Sequence, residues 1–309
     1  MAGAGPSPIV SRLTHATFGL WFPFFRWMAR TLPPEWVARL ASATAERAIW
    51  AREPVREAIL GNIAAVTGLP PSSRRVEEIA LRMVSNHSRL WIDLLRFAGS
   101  PPGVARSLIA ATEGTHRLHE AQDLGKGAVL LTAHVGNYEI GGLFLRAIGF
   151  RFSVVYAPDP SPVIERHRAE SREAFGVGSI PVTSSLLSFV SVLRALERGE
   201  FVAIQGDYDF SGTGWTLPFF GRATSFPTGP FRIAASSGAP LLPVFVLREA
   251  DGRYRTIVEE PIRVAETGRD GRDAAIGEAL RKFVGLMERT IRAHPDQWFR
   301  FAPFWERGE

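Results

Sequence analysis

Residues 127–142, GAVLLTAHVGNYEIGG, constrain the chain more than any other stretch. Ala128 to Ala133 is a short apolar run with β-branched members, which predicts a buried strand. His134 follows at once, then Gly136 and Asn137, and then Glu139, Ile140, Leu143, Phe144 and Ala147 at helical spacing. An imidazole at a strand end with a carboxylate just beyond it is a chemical arrangement. In one regular helix, residues with this separation lie roughly 140° apart around the axis and do not meet. With His134 in the turn and Glu139 in the first helical turn, the chain can fold the carboxylate back towards the ring. Such a pair fixes the imidazole tautomer, raises the basicity of the other ring nitrogen and stabilises the imidazolium. The plain alternative is a lone histidine satisfied by a backbone carbonyl. The strand-end position favours catalysis.

A chain of 309 residues with 46 % hydrophobic content has ample material for one large domain or two small ones. It has no cysteine, which excludes disulfides and thiolate chemistry. Basic residues number 36 against 31 acidic, and Lys126 and Lys282 are the only lysines, so the positive charge is almost wholly arginine. That excess suits an anionic partner, either a membrane surface or phosphorylated substrates. Nucleic acid is the weaker reading, since no binding motif or basic run accompanies the charge.

Met1 to Pro8 reads as a disordered start. The stretch from Leu13 to Phe25 is rich in aromatics and lies between Arg12 and Arg26. Its 13 uncharged residues fall short of the ~18–20 that cross a bilayer, and no signal-peptide cleavage site follows. Aromatics flanked by arginines predict a helix lying in the lipid interface, with Trp21 and Trp27 at headgroup depth. The competing reading is a core helix kinked at Pro23. A tilted or re-entrant insertion is also open. We therefore expect an N-terminal membrane-interface segment over 1–50 and a catalytic domain over 51–309.

Helices are predicted over Glu35–Ala51, Pro54–Val66 and from Ser72 or Ser73 to Phe97. Along the third, Val76, Ile79, Met83 and Leu90 keep helical spacing and His87 is expected to be a packing histidine. Residues 99–125 read as a connector, in which His116 and His119 lack a third metal ligand and fit a solvated helix face. Further strands are expected over Arg151–Tyr156, Phe201–Ile204, Ala239–Leu247 and Arg253–Val258, with a hairpin turn at Asp251-Gly252. Amphipathic helices are expected over Ser185–Arg198 and around Ile276–Ile291. The strand at Phe201 runs into Gln205-Gly206-Asp207-Tyr208-Asp209, a D-x-D at a strand end. Alone this motif equally suits a nucleotide-sugar metal site or a loop organised by side-chain hydrogen bonds. The segment from Leu217 to Arg222 and then Phe226-Pro-Thr-Gly229-Pro230 allows tight turns that expose N–H groups near a helix start, a good anion-holding surface. Arg222 and Arg232 are candidate phosphate contacts there, or else exposed charges.

TAHVGNYEIGG resembles the H-x-G-N-W-E block of the bacterial lipid A late acyltransferases and the related phosphatidylinositol mannoside acyltransferases, with Tyr138 in place of tryptophan. G-D-Y-D at 206–209 resembles their acidic segment. Leu217–Arg222 with Phe226–Pro230, and His294-Pro-Asp-Gln-Trp298, follow in the family's order. The resemblance covers roughly residues 50–305, and the helical first third also resembles the family's leader region. One departure is Ala157, which follows Tyr156 where the family commonly has arginine. Arg166, Arg168 and Arg172 are possible substitutes.

The resemblance implies an α/β fold with a mixed central sheet flanked by helices, of the glycerolipid acyltransferase kind, preceded by the helical membrane-contacting segment. It implies transfer of a fatty acyl group from an acyl carrier protein or coenzyme A thioester to a hydroxyl of a glycolipid or phospholipid. His134 would be the general base oriented by Glu139. Asn137, Gly206, Asp207, Asp209, Arg222, Gly229 and Arg232 would line the substrate site. Backbone N–H groups of the Gly136-Asn137 turn or the Gly206 loop are the expected oxyanion donors. No metal, cofactor or separate nucleophile is required, and no G-x-S-x-G elbow is present. The expected location is the cytoplasmic face of the bacterial inner membrane, peripheral or shallowly inserted. Two rival readings are a metal-dependent glycosyltransferase using Asp207 and Asp209, and a membrane-binding scaffold with a degenerate site.

Overall fold

The computed structural model describes residues 24–97, 102–158, 162–182, 187–209, 212–265 and 268–305. Trp21, Pro23 and the start of the expected interface segment lie outside them. Among the described residues a seven-stranded mixed sheet runs in the order β1 (Ile109–Glu113), β9 (Tyr254–Val258), β8 (Leu241–Arg248), β2 (Ala128–Thr132), β5 (Phe201–Gln205), β3 (Phe152–Tyr156), β4 (Gly178–Pro181). β8, β2, β5, β3 and β4 are parallel neighbours; β9 is antiparallel to β8, and β1 is parallel to β9.

β2 sits in the middle because it is apolar on both faces, as a parallel strand covered on two sides must be. Side chains alternate along a strand, so Val129 and Leu131 point into one core while Ala128 and Leu130 point into the other. The first core is closed by α9 (Leu187–Glu197), α10 (Gly229–Ser237) and α11 (Arg272–Ala293) through Leu196, Phe231, Ile276, Leu280 and Phe283. The second is closed by α6 (His116–Asp123) and α7 (Tyr138–Ala147) through Leu118 and Leu145.

The helical first third forms its own layer. α2 (Pro34–Trp50) follows a helical stretch over residues 24–31, which we number α1, and leads to α3 (Glu53–Thr67) and α4 (Arg74–Phe97). α2 packs on α4 through Val37, Ala38 and Ile92, and Ser42 and Ser85 share a 3.0 Å hydrogen bond. Ser73 accepts the backbone N–H of Arg75 at 3.3 Å at the start of α4. His87 is a packing residue: it accepts from the Trp91 indole at 3.3 Å and lies against Phe299 and Phe301. Burial pushes its pKa down to about 4, so it stays neutral.

Three departures from the sequence reading concern short or exposed elements. The connector contains α5 (Pro102–Leu108), β1 and α6, and four of the five β1 residues are exposed. β4, ahead of α9 and after α8 (Pro162–Ala174), is a short edge strand. The Leu217–Phe226 segment, read as turns, is an antiparallel hairpin, β6 (Trp215–Phe219) and β7 (Arg222–Phe226), and Gly229-Pro230 beyond it opens α10. Phe219 and Phe226 turn inward onto Trp298, Phe304 and Trp305 of the C-terminal segment. That segment is tied to α3 by Asn62, whose amide donates to the Ala302 carbonyl at 2.8 Å and accepts from Phe304 N–H at 2.9 Å.

Candidate active site

β2 and β5 are parallel, and their last residues, Thr132 and Gln205, are register partners. The Gly206 N–H extends the ladder to the Thr132 carbonyl at 2.8 Å. Continuing each strand past its end therefore brings His134 and Asp207 side by side. Asp207 Oδ1 and Oδ2 lie 2.9 and 3.1 Å from His134 Nδ1, and Oδ2 also accepts the His134 backbone N–H at 3.0 Å. A carboxylate only accepts, so Nδ1 carries the proton and Nε2 presents its lone pair. Asp207 is buried while the His134 side chain keeps 32 % of its surface.

Burial opposes charge on both partners, yet each shifts the other towards its charged form. For His134, desolvation works against the imidazolium, but the Asp207 charge and hydrogen bond outweigh it together with Arg300 and Arg168, and the pKa rises above 6.5. For Asp207, desolvation is overcome by His134 and by backbone N–H groups, and the carboxyl falls below its ordinary value.

Glu139 takes a different partner. Asn137 caps α7, its side chain accepting the Ile140 N–H at 3.2 Å. The helix then turns Glu139 towards α8, where it lies 3.9 Å from Arg168. Desolvation raises the Glu139 pKa, with Arg168 and Arg172 opposing it. Tyr138 stands edge-on to the His134 ring at 5.8 Å between centroids. The carboxylate on Nδ1 is thus Asp207, contributed by a strand distant in sequence, in place of the local partner expected from the motif.

A cavity of about 640 Å³ opens at His134. It is lined by the polar side chains of His134, Tyr138, Glu139, Arg168 and Gln205 together with the apolar ones of Leu94, Leu118, Leu130, Leu145, Phe152 and Val244. A Cβ on Gly142 would stand 2.9 Å from the Phe152 ring, so glycine there keeps α7 close to the sheet along the cavity wall. A second cavity of about 650 Å³ is lined by Asp207, Tyr208, Asp209, Arg222, Arg300 and Trp305. His134 thus lines one cavity and its partner Asp207 the other.

The other expected site residues divide. Asn137 is 2 % exposed and is engaged internally, its amide nitrogen donating to Tyr254 at 2.9 Å. The N–H groups of Gly136, Asn137 and Gly206 are already given to the carbonyls of Gln297, Val246 and Thr132, so the expected oxyanion donors are occupied. Asp209 organises its loop, accepting from Gly214 N–H at 2.7 Å and Ser225 at 3.0 Å. Asp207 and Asp209 therefore serve different partners, and the metal-dependent glycosyltransferase reading gains no support. Arg222 lines the second cavity with its guanidinium 5.4 Å from the Trp305 ring centre. Gly229 and Arg232 lie on α10 away from both cavities, Arg232 bonding Thr228 at 3.2 Å and facing Asp273 at 3.7 Å. Tyr138 and Arg300 were not singled out as site residues by the motifs, and Arg168 was signalled only as a substitute for the family arginine. Only the strand-end D-x-D and the arginines after Ala157 signalled that part of the site.

The family model described as bacterial lipid A biosynthesis acyltransferase matches residues 10–307. The chain belongs to that family. It is accordingly an O-acyltransferase, with an acyl donor and a lipid acceptor. A phosphatidylinositol mannoside acyltransferase of Mycobacterium tuberculosis is 29 % identical over 282 residues, covering 90 % of this chain and 86 % of the relative. The one from Mycolicibacterium smegmatis is 27 % identical over 279 residues, with 90 % and 88 % covered. A lipid A biosynthesis acyltransferase of Haemophilus influenzae is 22 % identical over 173 residues, covering 55 % of this chain and 53 % of its own length.

Proposed function

We propose that this family member moves a fatty acyl group from an acyl carrier protein or coenzyme A thioester to a hydroxyl of a glycosylated phospholipid or related glycolipid. His134 serves as general base and Asp207 orients it. The observation that carries the reading is the His134–Asp207 pair, with His134 in the wall of a largely apolar cavity. The cavity suits a hydrocarbon chain, placing its thioester carbonyl at His134. Nε2 takes the proton of the acceptor hydroxyl and the oxygen attacks the carbonyl carbon. The tetrahedral intermediate collapses by breaking the C–S bond, and the imidazolium returns the proton to the departing thiolate.

The developing oxyanion needs donors that the sheet has not already used. The N–H groups of Tyr138 and Glu139, the first two positions of α7, have no acceptor inside the helix and are the candidates. Arg168 in the cavity wall, and Arg172 with its guanidinium 4.0 Å from the Tyr156 ring centre, supply cationic charge near Ala157. They are suited to a donor or acceptor phosphate. The second cavity, with Tyr208, Arg222 and Arg300, suits a hydroxylated headgroup.

The test is transfer of labelled acyl groups from both thioesters into a total lipid extract. A labelled lipid formed by the wild-type chain identifies donor and acceptor. No transfer from either thioester by folded, lipid-bound protein contradicts the reading.

Membrane contact is part of the same proposal. No described helix is long and apolar enough to cross a membrane. Residues 24–40 nevertheless expose Trp27 at 56 %, Trp36 at 73 % and Leu40 at 57 %, beside Arg26 and Arg30. Aromatics next to arginines suit the headgroup layer of an anionic bilayer, at the cytoplasmic face of a bacterial inner membrane. Wild-type protein is expected to float with vesicles containing anionic lipid, and a Trp27→Ser/Trp36→Ser variant to stay largely in the soluble fraction. Equal flotation of the two proteins would remove these residues from the account.

A further inference from the structure

Beneath the turn that carries His134 lies a buried polar chain that the reaction as described does not use. The Asn137 side chain is committed at both ends: Oδ1 accepts the Ile140 N–H at 3.2 Å and Nδ2 donates to the Tyr254 hydroxyl at 2.9 Å. The Tyr254 hydroxyl in turn donates to the Asp93 carboxylate on α4. Tyr254 is 1 % exposed and otherwise belongs to an apolar cluster with Ile140, Leu143 and Val246. A phenylalanine would fill the same ring volume, so packing alone does not call for the hydroxyl. Its accepting and donating functions are both taken, which fixes the direction of the whole chain. Desolvation raises the Asp93 pKa, with Tyr254, Arg248, Arg89 and Arg96 acting against it.

The turn is thereby held from three sides. Gly136 N–H is bound by Gln297, Asn137 N–H by Val246, and the Asn137 side chain by Tyr254 and Asp93. The last of these has a second end. Trp91, Leu94 and Leu95, neighbours of Asp93 on α4, line the apolar cavity. The helix that walls the hydrocarbon cavity is therefore tied to the turn that presents His134.

We propose that Asp93 and Tyr254 are positioning residues for acyl transfer, acting through Asn137 to hold the start of α7 and the His134 turn in register with the cavity. The proposal rests on the reading of His134 as the base. Tyr254→Phe removes only the hydroxyl, frees the Asn137 amide and leaves the His134–Asp207 pair untouched. Because displacements of about 1 Å near a reacting centre cost on the order of 10²-fold, kcat is expected to fall roughly 10- to 100-fold while the KM for the thioester changes less than about twofold.

Asp93→Asn keeps an oxygen to accept the phenol proton and is expected to retain most activity. Asp93→Ala is expected to lose activity as Tyr254→Phe does, and the double variant Asp93→Ala/Tyr254→Phe to be no slower than either single one. Steady-state kinetics with a labelled long-chain acyl-coenzyme A, or the carrier-protein thioester if that is the donor used, read all four, with the folded fraction at assay temperature measured alongside. Wild-type kcat in Tyr254→Phe, losses that add in the double variant, or equal damage by Asn and Ala at position 93 overturn the relay. So does a rate loss that merely follows the folded fraction. If Tyr254→Phe does not fold, the Asn and Ala variants of Asp93 decide. A His134→Ala variant that still transfers acyl groups removes the base reading itself, so the two failures are told apart.

Discussion

Alanine at position 134 is expected to lower the rate of acyl transfer by about 10²- to 10⁴-fold, the range of a lost general base. The His134 backbone contacts persist in this variant, while buried Asp207 loses its ring partner, so the folded fraction is measured with the rate. The His134 carbonyl accepts Phe299 N–H at 2.9 Å and its N–H is held by Asp207. The ring itself is one-third exposed in the cavity wall and packs edge-on against Tyr138. Donor KM is expected to change little, since in the proposed complex the hydrocarbon would be held by apolar lining residues such as Leu118, Leu130 and Leu145 rather than by the imidazole. Steady-state rates with the labelled thioester check this. Retained turnover would show that the acceptor hydroxyl is deprotonated by another group.

Asp207→Asn has the second large effect, and it carries a sign. His134 works as a base only when neutral, so the wild-type rate should fall as pH drops through its raised pKa. Asp207 is the group that raises that pKa, while its own lowered value keeps it ionised across the working range. Asparagine removes the charge while keeping the shape. The acid limb of the pH–rate profile should therefore move to lower pH, even as the plateau falls by about 10²-fold or more from loss of imidazolium stabilisation and of the tautomer lock. A plateau loss with an unmoved limb would mean that Asp207 only packs against the ring. Glu139→Gln should leave the limb nearly in place, because Glu139 faces Arg168 rather than Nδ1.

The contrast between Asp207 and Glu139 shows which parts of the site were legible. The strand before His134 and the helix after it were readable from local pattern, as was the Asp251-Gly252 hairpin between β8 and β9. Glu139 was visible because it is near His134 in sequence, but its direction is set by where α7 begins. Asn137 caps that helix at Tyr138, and the phase then sends Glu139 to α8. Asp207 was noticed for its D-x-D, yet its meeting with His134 depends on β5 lying beside β2 in the sheet order, which local sequence does not state. The occupied N–H groups of Gly136 and Asn137 escaped for the same reason: their acceptors are Gln297 and Val246. Elements that were missed carry weak burial signals. β1 is mostly exposed, β4 is a short edge strand, and β6 and β7 contain Pro218 and a turn at Phe220-Gly221 that read as loop.

The most direct test of the His134–Asp207 assignment is the pH dependence of kcat/KM for acyl transfer in wild type, Asp207→Asn and Glu139→Gln. With Asp207 on Nδ1, the acid limb moves to lower pH in Asp207→Asn and stays near the wild-type position in Glu139→Gln. A limb that shifts with Glu139→Gln and stays put with Asp207→Asn would contradict the assignment, and would return the orienting role to the carboxylate nearer in sequence.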